Sequence, residues 1–177
     1  MTTLVDRIVA VAAALDSSGV PWALGGALAL AYATEEPRGT RDIDVNVFVG
    51  SDHAARVFMA LPHGVAHTAD DLVAARAEGQ VRLWWDDTPI DIFFAEAPFH
   101  DDVDRRCRKV PFAGISIRVL APEDLAVFKA LFDRPKDWVD ISTMAESRAV
   151  DLDLAADLLR TLLGDDPRVD RMRCIPH

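Results

Sequence analysis

The stretch from Val20 to Val49 reads V-P-W-A-L-G-G-A-L-A-L-A-Y-A-T-E-E-P-R-G-T-R-D-I-D-V-N-V-F-V. A short apolar run from Pro21 to Leu24 enters the double glycine Gly25-Gly26, and an alanine-rich segment from Ala27 to Thr34 suits a helix packed closely on a sheet. Glu35 to Gly39 is a polar loop, and the run from Asp42 to Val49 closes at Gly50. The order is strand, glycine turn, helix, loop, strand. Side chains alternate across a strand, so Asp42 and Asp44 share one face while Ile43, Val45 and Val47 share the other.

Two carboxylates side by side each disfavour the ionisation of the other unless something positive sits between them. Hard oxygen donors of this kind suit Mg²⁺, or Mn²⁺ in its place, when phosphate oxygens complete the shell. Gly25 and Gly26, at a strand-to-helix junction, let backbone N–H groups and a helix dipole approach an anion. Together these features imply a site for a metal-bound nucleoside triphosphate. Arg38 and Thr40 either hold phosphate or brace the loop, and the glycines can serve strand–helix packing as well. The D-x-D pair alone is weak: it also occurs in metal-dependent glycosyltransferases and at solvated strand ends.

The arrangement G-G, helix, then R-x-T-x-D-x-D on a strand resembles the nucleotidyltransferase superfamily related to DNA polymerase beta, and within it the AbiEii-like toxin branch. The resemblance implies an α/β (α+β) fold: a mixed β-sheet with flanking helices and a helical C-terminal part. It also implies a third acidic residue on a neighbouring strand, for which Asp91 in P-I-D-I-F-F is the candidate. Ile90, Ile92 and Phe94 take one face of that strand and leave Asp91 on the other, able to face the pair if the two strands are neighbours.

A second motif lies in A-P-E-D-L-A-V-F-K-A-L-F-D-R-P-K-D-W-V-D-I. Leu125, Phe128 and Phe132 mark a buried helix stripe, and Lys129 lies on or beside it. A lysine there needs a partner: Asp137, Asp140 or a bound triphosphate. The run resembles the second signature of the AbiEii-like branch, whose matching lysine and aspartate are needed for activity. The resemblance thus implies a role for Lys129 as a cationic clamp and for Asp140 beside it; an ion pair that pins two helices is the structural alternative.

A chain of 177 residues, 50% of them apolar, is large enough for its own core. The expected division is an α/β core over residues 1–120 and a helical part over 121–177 packed on it as one compact domain. No apolar run reaches the roughly 18 residues of a membrane-spanning helix. The N-terminal M-T-T-L-V-D-R lacks a basic lead, so the expected location is the cytoplasm, with no membrane partner. Cys107 and Cys174 form neither a C-x-x-C pair nor a disulfide framework, and the five histidines show no ligand spacing. A net charge of −10 weighs against a general polyanion binder. Arg105, Arg106, Arg108 and Lys109 form a local cationic cluster, read as a solvated face rather than an RNA patch.

Along the chain, helices are expected from Thr3 to Ser18, near His53–Leu61, near Asp70–Ala77 and over Phe99–Arg106. A hairpin pairs Gln80–Trp85 with Ile90–Phe94 around a turn at Asp86-Asp87-Thr88-Pro89, and short strands span Lys109–Phe112 and Ile115–Leu120. Four helices follow, with Pro122 and Pro135 suited to first turns. Trp84 and Trp85 alternate, so one is expected in the core and the other at the surface or facing substrate. The resemblance implies that a toxin of this branch adds nucleotides to the 3′ end of tRNA and is silenced by an antitoxin. The rival readings are a small-molecule nucleotidyltransferase of the antibiotic-modifying kind, whose cationic substrate an acidic surface would suit, and an inactive or antitoxin-like nucleotide-binding module acting through a protein partner.

Overall fold

The computed structural model describes residues 2–176. The chain forms two compact units, one from its start to Gly25 together with Gly39–Val119, the other from Gly26–Arg38 together with Leu120 onwards.

The first unit is built on a sheet. Thr3 opens α1 (Leu4–Ser18) with a capping box to Asp6, and Gly19 closes it in the left-handed conformation. Among the described residues the strands are β1 (Trp22–Leu24), β2 (Ile43–Val47), β3 (Val65–Ala66), β4 (Gln80–Trp85), β5 (Thr88–Phe94), β6 (Arg108–Phe112) and β7 (Ile115–Val119). They form one mixed sheet in the order β3-β4-β5-β2-β1-β7-β6. The pair β2 and β5 is parallel, as is β1 with β7; the other neighbours are antiparallel. Ile43, Val45 and Val47 of β2, Ile90, Ile92 and Phe94 of β5, and Val81 and Leu83 of β4 are all buried, so these three strands turn their aliphatic residues to one face of the sheet. The helices α3 (Ala54–Ala60) and α4 (Ala69–Glu78) belong to this unit, α3 lying beside α1 and α4, and α4 beside β4. A fourth helix, α5 (Phe99–Arg106), precedes the β6–β7 ribbon.

Two details depart from expectation. The hairpin turn is shorter: Asp86 and Asp87 alone make it, with Asp86 left-handed at φ 51°, while Thr88 and Pro89 lie inside β5. Arg7 on α1 braces the turn, donating from Nη2 to Asp86 at 2.8 Å and from Nη1 to Asp87 at 2.9 Å, with Thr88 as a third partner. Pro89 is tolerated because β2 pairs with β5 only from Ile90 onward, which leaves the start of β5 without a neighbour on that side. The strand β3 was not foreseen: two residues carry no alternation to read, and it exists by pairing with Trp84 and Trp85. Trp85 closes over Gly64, where an added Cβ would lie 2.2 Å from the indole nitrogen. Trp84 is the outward member of the pair, 47% exposed.

The second unit is helical: α2 (Gly26–Thr34), α6 (Pro122–Phe132), α7 (Pro135–Glu146), α8 (Leu152–Leu163) and α9 (Pro167–Arg173). Within it α2 packs on α6 and α7, α6 on α8, and α8 on α9. Leu30, Leu125, Ala130, Trp138, Ile141, Met144, Leu159 and Met172 are buried. The stripe on α6 is shifted from the expected one. Leu125, Ala126 and Ala130 are buried and Lys129 is buried with them, whereas Phe132 is 43% exposed under the Arg134 guanidinium at the helix end. Small side chains let α6 lie close to its neighbours, so the larger phenyl rings are not needed for the contact.

The carboxylate of Asp137, 1% exposed, accepts from the Arg134 backbone N–H and from its guanidinium at 2.6 Å, closing the start of α7. Cys107 donates from Sγ to the Val103 carbonyl at 3.2 Å, Cys174 is an exposed thiol, and among the described residues no helix is long and apolar enough to cross a membrane.

Candidate metal and nucleotide site

The site grows out of one register. Parallel pairing of β2 and β5 sets Asp44 directly opposite Asp91, and Asp42 precedes β2 on the same face. One oxygen from each of Asp42, Asp44 and Asp91 lies within 4.8 Å of the others. Three hard oxygen donors this close, on half-buried side chains, match what a small divalent cation requires of a protein that leaves room for phosphate and water. The structure thus brings Asp91 onto the strand next to the D-x-D pair.

The two supports of this cluster come from neighbours in sequence and in the sheet. The Thr40 hydroxyl lies 2.5 Å from Asp42 Oδ1 and 3.2 Å from the Asp42 carbonyl, and it accepts from the Asp42 N–H at 3.3 Å. Thr40 thus fixes the rotamer of a cluster carboxylate. Gly25 donates its N–H to the Asp44 carbonyl at 2.9 Å, tying the end of β1 to β2. Gly26, the first residue of α2, has φ 54°, a conformation that glycine adopts without the cost a Cβ would bring.

Sequence reasoning missed one residue. Arg82 on β4 lies opposite Asp91 in the antiparallel register, and its guanidinium forks onto the carboxylate, Nε to Oδ1 at 2.7 Å and Nη2 to Oδ2 at 2.6 Å. The Asp91 hydrogen bonds and charge hold the guanidinium above its ordinary pKa, and the charges of Asp42 and Asp44 add to this.

In the helical unit, Arg38, Lys129 and Asp140 converge. Asp140 accepts from Lys129 Nζ at 2.6 Å through one oxygen and from Arg38 Nη1 at 3.2 Å through the other. Asp137 stands 3.9 Å from the same ammonium group. Of the partners open to Lys129, the structure has Asp140 nearest.

A family model, the nucleotidyl transferase AbiEii toxin of type IV toxin–antitoxin systems, matches residues 7–174. The chain belongs to this family. AbiEii membership makes it a nucleotidyltransferase and implies a nucleotide substrate and an antitoxin partner. Solved structures agree on the fold. The antibiotic-resistance factor ANT(2'')-Ia superposes with a TM-score of 0.57 at 20% identity, covering 97% of this chain and 90% of that one. An antigenic nucleotidyltransferase-like protein from Paracoccidioides brasiliensis gives 0.55 at 15% identity, with 96% and 92% covered. The lincosamide antibiotic adenylyltransferase LnuA, bound to lincomycin, gives 0.54 at 15% identity, with 78% and 94% covered. No curated protein sequence matches the chain. The AbiEii mixed sheet with C-terminal helices is thus the nucleotidyltransferase architecture that the D-x-D strand implied.

Proposed function

We propose that this AbiEii-family chain is a toxin that transfers a nucleoside monophosphate from a triphosphate to the 3′ end of tRNA, releasing pyrophosphate, and that an antitoxin holds it in check. The observation that carries the chemistry is the cluster of Asp42, Asp44 and Asp91 within 4.8 Å on adjacent strands. In this reading the three carboxylates hold Mg²⁺, or Mn²⁺ in its place. The cation would supply charge neutralisation at the triphosphate and its leaving pyrophosphate. Asp91 also acts as base or orienter for the acceptor hydroxyl. Thr40 keeps Asp42 in place and, with Gly25 and Gly26, borders the phosphates.

Lys129, with Asp140 and Arg38, is proposed for the triphosphate on the resemblance of the second motif. This role has its own test. If Lys129 clamps phosphate, Lys129→Met raises the KM for the triphosphate about tenfold or more. If it is only an ion-pair partner of Asp140, the melting temperature falls and the KM of the folded enzyme stays unchanged.

The acceptor is tested by incubating the purified protein with each α-labelled nucleoside triphosphate, Mg²⁺ and total tRNA. Label is expected on the tRNA, with Asp91→Asn slower by about a hundredfold. Absence of labelled tRNA, under conditions where the triphosphate binds, rejects the tRNA acceptor. It would turn attention to a small-molecule acceptor, which the net charge of −10 would attract if cationic.

A further inference from the structure

Arg82 pairs with a carboxylate of the acidic cluster itself. Its side chain is 53% exposed, while that of Asp91 is 16% exposed. The guanidinium thus stands at the solvent edge of a carboxylate that is itself largely covered. Gln80 and Trp84, on the same face of β4, are also outside the core, and the buried side of the strand is carried by Val81 and Leu83. The sheet registers nevertheless put Arg82, Asp91 and Asp44 in one row across three adjacent strands.

Both oxygens of Asp91 accept from the guanidinium fork. A carboxylate oxygen has two lone pairs, so each is left with one for a further partner. The fork also fixes the plane of the carboxylate, as bidentate arginine pairs do. Electrostatically, three carboxylates within 4.8 Å repel one another, and one guanidinium offsets a third of that charge. That same positive charge opposes a divalent cation approaching the cluster.

We infer that Arg82 is a positioning residue and built-in counter-ion: it holds Asp91 in line with Asp44 before substrate arrives, and it keeps the cluster's affinity for a bare divalent cation low, so that cation uptake depends on the accompanying triphosphate. The inference rests on the reading of Asp42, Asp44 and Asp91 as cation ligands. A triphosphate brings enough negative charge to outweigh the guanidinium, whereas a bare cation does not.

The test is titration of the nucleotide-free protein with Mn²⁺, following free Mn²⁺ by electron paramagnetic resonance. Arg82→Gln, which removes the charge and keeps a donor, is expected to bind Mn²⁺ about tenfold more tightly than the unaltered protein. Arg82→Lys, which keeps the charge and loses the fork, is expected to stay close to the unaltered protein. Equal or weaker Mn²⁺ binding by Arg82→Gln overturns the inference, as does undetectable binding by both. Arg82→Ser makes the same charge change should the glutamine variant fail to fold. Asp42→Asn controls for the underlying reading: Mn²⁺ binding that survives it rejects the carboxylate cluster as the cation site, a failure separate from that of Arg82. In turnover, the lost alignment of Asp91 is read as a lower kcat at nearly unchanged KM for the triphosphate, partly restored in Arg82→Lys. An unchanged kcat in Arg82→Gln overturns the positioning role.

Discussion

Asp42→Asn and Asp44→Asn are each expected to lower nucleotidyl transfer by about a thousandfold or more while leaving the protein as stable as before, or more so. The two halves of this result have one cause. The carboxylates of Asp42, Asp44 and Asp91 approach within 4.8 Å, so each is held against the repulsion of the other two. An amide relieves that repulsion and, on the proposed reading, also removes a hard anionic ligand of the cation. Asp42 and Asp44 are only half-buried and lie on the sheet face opposite Ile43 and Val45, so no cavity opens in the core. Activity and melting temperature, measured on the same preparation, check this directly. A variant that lost both together would indicate a structural aspartate instead of a ligand.

Ile92→Ala is expected to do the opposite, lowering stability by about 3 kcal/mol, read as a melting temperature lower by roughly 9 °C. Ile92 is 0% exposed on β5, between Val81 of β4 and Val45 of β2. Truncation there leaves a void that flanking strands cannot close, because their hydrogen-bond ladders fix the spacing. Ile92→Val, which removes one methylene, should cost about 1 kcal/mol. Asp91 is the adjacent residue on the other face, so the buried side chain that secures the strand and the carboxylate proposed for the site are neighbours in sequence. A drop of less than about 1 kcal/mol for the alanine variant would mean that β5 is not the centre of the core.

How much of this could be read from the chain differs between the two strands flanking Asp91. Alternation in I-D-V-N-V and in P-I-D-I-F-F assigned the aliphatic residues to the core face and the aspartates to the other, although Asn46, on the aspartate face of β2, is buried as well. The pairing of β2 with β5, which brings Asp44 to Asp91, joins residues 47 positions apart and has no local signal; that the strands are neighbours was implied by the family resemblance, and their parallel sense was not read at all. Arg82 was lost through the turn. A four-residue turn over Asp86–Pro89 would pair Trp85 with Ile90 and bring Arg82 opposite Phe93. The two-residue turn at Asp86-Asp87 pairs Trp85 with Thr88 and brings Arg82 opposite Asp91. The signal was present in D-D followed by a β-branched threonine, which suits a strand better than a turn. On α6 the large phenyl rings suggested the buried stripe, and small alanines held it.

The most direct test of the central claim is to follow the two ends of the triphosphate separately. The protein is incubated with acceptor RNA, Mg²⁺ and a triphosphate labelled at either the α- or the γ-phosphate, beside Asp42→Asn. Nucleotidyl transfer by the Asp42, Asp44 and Asp91 cluster predicts α-label on the acceptor, γ-label released as pyrophosphate, and neither with Asp42→Asn. Retention of γ-label on the acceptor, or α-label transfer undiminished in Asp42→Asn, would contradict it.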